Sequence, residues 1–176
     1  MSLRALWIGV CLAVVAGGCL GGSASPHALS VPPPSTRLIP LAACPVTHPN
    51  QVVPQNAAAF SAESFNLRNR WLGAVLWPHG ILPVGRLPDG GSYAGVRSDG
   101  WVYAKQGWWR GIKGDLQIVG QRLDRTARAL RADIPAGYGD TGFEPVALLF
   151  PSMGCWKVTA NIGDKQLAYV IRLAKA

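Results

Sequence analysis

Turn-forming residues interrupt this chain too often for a long helix anywhere in its C-terminal two thirds. Trp71–Trp77 is an apolar run stopped by Pro78-His79-Gly80, and Ile81–Leu87 is stopped by Pro88-Asp89-Gly90-Gly91. Ser98-Asp99-Gly100 leads into Trp101–Lys105. Leu116–Leu123 alternates with Gly120 inside it, and Val146–Phe150 ends at Pro151. Cys155–Asn161 and Gln166–Leu173 flank Ile162-Gly163-Asp164-Lys165, a hairpin connection. Short runs between regular turn signals read as strands. The fold class they imply is all-β, a sandwich or a barrel. One segment competes: Leu123, Ala127 and Leu130 share a helical face within Gln121–Ala132, before Pro135 and Gly137. A short helix in a loop and a plain loop both fit it. No repeat of solenoid or propeller length is present.

The last two expected strands define an inward face. Trp156 and Val158 point one way and Lys157 the other, while Leu167, Tyr169, Ile171 and Leu173 share a side. Trp156 is therefore expected in the core.

The N-terminus reads as an export signal. Met1–Arg4 is a basic n-region, Ala5–Val15 an uncharged apolar stretch, and Ala16, Gly17 and Gly18 precede Cys19. The layout suits a signal peptide better than a membrane span. Ala16-Gly17-Gly18-Cys19 resembles the lipobox of bacterial lipoproteins, with Ala16 where Leu is usual. That resemblance implies cleavage before Cys19 and lipid on it; an ordinary signal cleaved after Ala24 is the alternative. Leu20-Gly21-Gly22-Ser23 fits a flexible tether. Eight of the 14 Pro lie between Pro26 and Pro54, where neither helix nor central strand is at home. The expected division is a lipoprotein signal peptide over 1–18, a Gly/Ser then Pro-rich spacer over 19–43, and a β domain over 44–176.

Four cysteines narrow to a pair. Cys11 leaves with the signal and Cys19 is taken by lipid, leaving Cys44 and Cys155. In an oxidising compartment these are expected to bridge, two unrelated buried thiols being the alternative. Closing so long a loop is worth on the order of 4–5 kcal/mol in the chain-entropy model. No metal site is expected, because there is no C-x-x-C and His27, His48 and His79 are scattered.

Phe150-Pro151-Ser152-Met153-Gly154-Cys155-Trp156-Lys157-Val158-Thr159 resembles a segment of uncharacterised bacterial exported proteins. In that group the phrase opens a strand pair that ends an immunoglobulin-like β-sandwich. The resemblance implies a fold and an extracytoplasmic, membrane-anchored address in the cell envelope. It implies no activity.

No catalytic constellation emerges. Gly137-Tyr138-Gly139-Asp140-Thr141-Gly142 matches G-x-G-x-x-G, but Pro135 precedes it and Pro145 forbids the helix that dinucleotide binding requires. These glycines are expected to serve backbone turns with positive φ. Gly90-Gly91-Ser92-Tyr93 starts like a nucleophile elbow and fails at Ala94. Most carboxylates sit in turn contexts. No enzyme, cofactor or nucleic-acid partner is expected.

Aromatic and basic residues carry the remaining signal. The formal charge is +8, or +7 once Arg4 leaves with the signal. Arg122, Arg125, Arg128 and Arg131 recur every third residue, and Lys105, Arg110 and Lys113 surround the adjacent Trp108 and Trp109. Neighbours on a strand face opposite ways, so at most one of those two indoles is expected to be buried. The candidate binding surface comprises Lys105, Trp108, Trp109, Arg110, Lys113, Arg122, Arg125 and Arg128. The expected function is a non-enzymatic, lipid-anchored envelope domain that binds a protein or an anionic envelope polymer. The alternatives are a carbohydrate-binding or carbohydrate-processing module with an exposed Trp platform, and an envelope metal-handling protein.

Overall fold

The computed structural model describes residues 37–50 and 65–176. Cys19, the signal sequence and the spacer up to residue 36 lie outside the described residues. Ten strands dominate: β1 (Leu67–Arg68), β2 (Leu72–Ala74), β3 (Ile81–Val84), β4 (Ala94–Val96), β5 (Val102–Arg110), β6 (Gln117–Arg122), β7 (Arg131–Asp133), β8 (Gly142–Phe150), β9 (Gly154–Ile162) and β10 (Lys165–Lys175). Among the described residues, the only helical pieces are the three-residue 3₁₀ turns Leu41–Ala43 and Pro78–Gly80.

Gln121–Ala132 forms no helix. Gln121 and Arg122 finish β6, residues 123–130 are irregular, and Arg131 opens β7. Tertiary bonds outweigh the local periodicity here: Leu123 N–H donates to the Cys155 carbonyl at 2.8 Å, and Leu130 N–H to the Gly120 carbonyl at 3.2 Å. A helix would withdraw both groups from those partners.

The strands form one mixed sheet in the order β1-β2-β5-β4-β3-β10-β9-β6, with β8 on the other edge of β5 and β7 on β8. β3 runs parallel to both β10 and β4, whereas the other pairs are antiparallel. The Leu130–Gly120 bond joins the β6 and β7 ends, so the sheet curls back on itself. One apolar core, including Leu72, Leu82, Leu148, Phe150, Trp156 and Ile171, fills the inside. Each such side chain contributes roughly 1.5–3 kcal/mol by leaving water.

Alternation along β5 sets its inner row: Val102, Ala104, Gln106, Trp108 and Arg110 are buried. The C-terminal hairpin follows the sequence pattern closely. Ile162 pairs with Lys165 across Gly163-Asp164, and Gly163 takes φ 57°. Trp156 and Val158 are fully buried, as are Tyr169 and Ile171 to within a few per cent.

The core also holds a polar relay. Tyr169 Oη donates to Gln106 Oε1 at 2.7 Å, and Gln106 Nε2 donates to the Val75 carbonyl at 2.9 Å. Burial pushes the Tyr169 phenol far above its usual range.

Residues 37–50 lie across the domain as a strap. Ile39 N–H reaches the Leu123 carbonyl at 2.9 Å, so docking starts before Cys44, within the segment read from sequence as spacer. Cys44 is bridged to Cys155, with Cα atoms 5.7 Å apart. Thr47 then bonds the open edge of β10 at Val170, through its N–H to the carbonyl and its Oγ1 from the N–H, both 2.8 Å. Asn50 pairs reciprocally with the Arg68 backbone in β1. The strap passes so close to Gly80 that a Cβ there would lie 2.7 Å from Val46 Cβ.

Candidate functional site

The structure divides the sequence-derived surface in two. Trp108 has no exposed surface; it packs 6.0 Å from Tyr169, ring centre to ring centre. It belongs to the core because it shares the inward register of β5. Trp109 takes the opposite face, half-buried, with its ring lying where a Cβ on Gly111 would go.

Arg110 and Arg122 are likewise buried rather than displayed. Arg122 donates to both oxygens of Asp124 at 2.8 and 2.9 Å and to Ser152 Oγ at 2.6 Å. Cys155 N–H adds a third bond to Asp124. The Arg122 hydrogen bonds dominate over burial and hold the Asp124 carboxyl at about 2. Gly154 makes room for this arrangement, since a Cβ there would lie 2.5 Å from the Arg122 guanidinium. This gives the 150–156 phrase a structural meaning: Phe150 and Trp156 meet edge-to-face in the core, Gly154 admits Arg122, and Cys155 carries the bridge.

Lys105, Lys113, Arg125 and Arg128 remain exposed. Lys113 pairs loosely with Asp140 at 3.5 Å, and Arg125 lies 4.0 Å from the already engaged Asp124. The best-organised cations surround Trp101, which the sequence reading had not placed in the surface. The guanidinium carbons of Arg128 and Arg131 sit 5.2 and 4.6 Å from its ring centre. Trp101 is nearly covered, while both arginines are exposed. Among the described residues, no carboxylate lies within ion-pair distance of either. Such stacking fixes a planar fork of donors in place without neutralising it. The every-third-residue arginines gave a hint, but the indole that organises two of them is some thirty residues earlier in the chain.

On the outer face of the same sheet region, Arg131 faces Leu149, which faces Tyr103, which faces Gly95. Tyr103, Lys105 and Tyr93 border a shallow depression of about 240 Å³ beside Gly95.

A second depression lies beside the start of β6 and the end of β7. It has a volume of about 320 Å³ and is lined by Arg110, Asp115, Leu116, Ile134, Tyr138 and Glu144, among others. Arg110 Nε sits 2.8 Å from Glu144 Oε2, an ion pair with both side chains over nine-tenths buried. Arg110 Nη2 also donates to the Gly139 carbonyl at 2.6 Å and the Tyr138 carbonyl at 3.4 Å, which ties the loop to the end of β5. Gly137, Gly139 and Gly142 all have positive φ, consistent with a turn function for that glycine series. Glu144 and Asp115 escaped the sequence reading because neither has a recognisable motif around it. Among the described residues, no group of three or more His, Cys, Asp or Glu side chains is placed to hold a metal ion.

Comparison with protein-family models, with curated proteins and with solved structures finds no match to this chain.

Proposed function

We propose that this is a non-enzymatic, lipid-anchored envelope protein whose domain binds an anionic envelope polymer through the arginines around Trp101. The observation that carries the reading is the stacking of Arg128 and Arg131 on one indole with no carboxylate partner. A guanidinium fixed in this way loses little side-chain freedom on meeting a phosphate or carboxylate. Arg125 and Lys105, both exposed, add to the positive charge of the domain. The lipid anchor rests on Cys19, and the Cys44–Cys155 bridge supports an oxidising, extracytoplasmic address. The immunoglobulin-like sandwich belongs to the same proposal; the strands that dominate the described residues and the core hairpin that the Phe150–Thr159 segment opens support it, while the parallel pairs of β3 lie outside the antiparallel pattern of such a sandwich.

The binding test uses polyphosphate and polyglutamate as probes across a salt series. Arg128→Gln with Arg131→Gln should abolish most binding of at least one probe and flatten its salt dependence. Binding unchanged in the double variant overturns the reading; capture of an acidic protein alone reassigns the site to a protein partner. Labelled fatty acid should enter the wild-type chain and not Cys19→Ser. The carbohydrate alternative now rests on Trp109 alone among the two adjacent indoles, since Trp108 is enclosed in the core.

A further inference from the structure

We infer that the depression between the ends of β6 and β7 binds a small ligand carrying an ammonium and hydroxyl donors beside an apolar face, the chemistry of an amino sugar. Among the described residues, a single backbone bond, from Leu130 to Gly120, joins the β6 and β7 segments beside it. Its lining is mostly polar, with Leu116 and Ile134 adding a smaller apolar part. At about 320 Å³ the space is at the small end of ligand pockets, which run about 300–1,000 Å³.

Its chemistry selects donors. Arg110 is already engaged by Glu144 and by the carbonyls of Tyr138 and Gly139. Asp115 lines the space with no cation within ion-pair distance among the described residues. The ionisable lining therefore holds one guanidinium and two carboxylates, a net negative spot on a chain of formal charge +8. An anion drawn by the rest of the surface would be repelled here, whereas an ammonium would be held.

Two further features fit that ligand. The Tyr138 ring stands at the rim, 45% exposed and edge-on to Phe143, where it can cover a sugar's C–H face. A buried ion pair is also a poor way to gain stability, because an apolar pair of similar volume does as well or better. Keeping Arg110 and Glu144 at the floor of an open depression is explained if the carboxylate meets a ligand and the guanidinium holds it in place.

The test titrates the mature, disulfide-bonded protein with D-glucosamine and, in parallel, D-glucose, following backbone amide NMR shifts. Glucosamine should shift residues around Asp115, Ile134 and Gly139 and bind more tightly than glucose. Asp115→Asn, an exposed change, should weaken glucosamine by about ten-fold through loss of a charge-assisted contact. Glu144→Gln should weaken it at least as much. If that variant loses its near-UV circular dichroism because Arg110 is left unpaired, Asp115→Asn and Tyr138→Ala carry the test. Shifts located elsewhere, equal affinity for glucose, or unchanged glucosamine affinity in Asp115→Asn overturn the inference.

Discussion

Leu130 donates its backbone N–H to the carbonyl of Gly120 at 3.2 Å, and its side chain fills the space that a Cβ on Gly120 would need. This is where the curled sheet meets itself. Gly120 looks like a flaw in an otherwise alternating strand. Its missing side chain is what lets the chain return from residues 123–130 and lie against β6. Leu116, just before β6, and Ile134, just after β7, line the depression that Arg110 and Glu144 also border.

Gly120→Ala should destabilise the domain by about 1–3 kcal/mol, the usual cost of overpacking. A new Cβ would lie 2.7 Å from Leu130 Cβ, an atom that cannot move without its backbone. Combining it with Leu130→Gly, which removes that Cβ, should cost less than the sum of the two single changes. Denaturant midpoints of the four proteins check this; strict additivity would remove the contact from the account.

Asp124 should make stability pH-dependent in a defined window. Its carboxyl lies at about 2 in the folded protein against 3.8 ordinarily, so the unfolded chain binds the proton more readily. The resulting stabilisation is complete above about pH 5 and is lost as pH falls through 3.8 towards 2, in all about 2 kcal/mol. Asp124→Asn should remove this slope and also lower stability at neutral pH, because Arg122 stays buried without its countercharge. Urea melts from pH 6 down to pH 2 provide the readout.

Reducing the Cys44–Cys155 bridge should cost on the order of 4–5 kcal/mol, since it closes a loop with sequence separation 111. Non-reducing peptide mapping should find the pair linked. Hydrogen exchange after reduction should speed up first at Ile39 and Thr47, whose amides fasten the strap to Leu123 and Val170. Unchanged exchange there would mean that the strap holds without its covalent anchor.

Trp156→Ala should cost about 3–5 kcal/mol, because the indole is fully buried and donates to the Ser152 carbonyl at 3.1 Å. Trp108→Ala should be comparable. Trp109→Ala should cost clearly less, because that ring is only half-buried on the outer face. The ranking is read from denaturant midpoints, and a Trp109 variant as damaged as the Trp156 variant would reverse the assignment of faces.

Sequence alone determined what depends on neighbours along the chain. Period-two alternation and Pro/Gly stops named most strands, the Gly163-Asp164 turn and the inward faces of Trp156 and Tyr169, because a strand sorts its side chains by position parity. Counting cysteines found the bridge once the N-terminal two were set aside. Parity also said that Trp108 and Trp109 must part, without saying which goes in; that depended on which face of β5 the curled sheet closes over. Tertiary structure alone decided whether a charge is displayed or buried. Arg122 and Arg128 look alike in sequence, yet Asp124, Ser152 and Gly154 enclose one while Trp101 supports the other in solvent. The parallel contact of β3 with β10, the strap's path over Gly80 and the meeting of Arg110 with Glu144 join residues far apart in sequence, and they form only when burying one shared core repays the entropy of closing those loops.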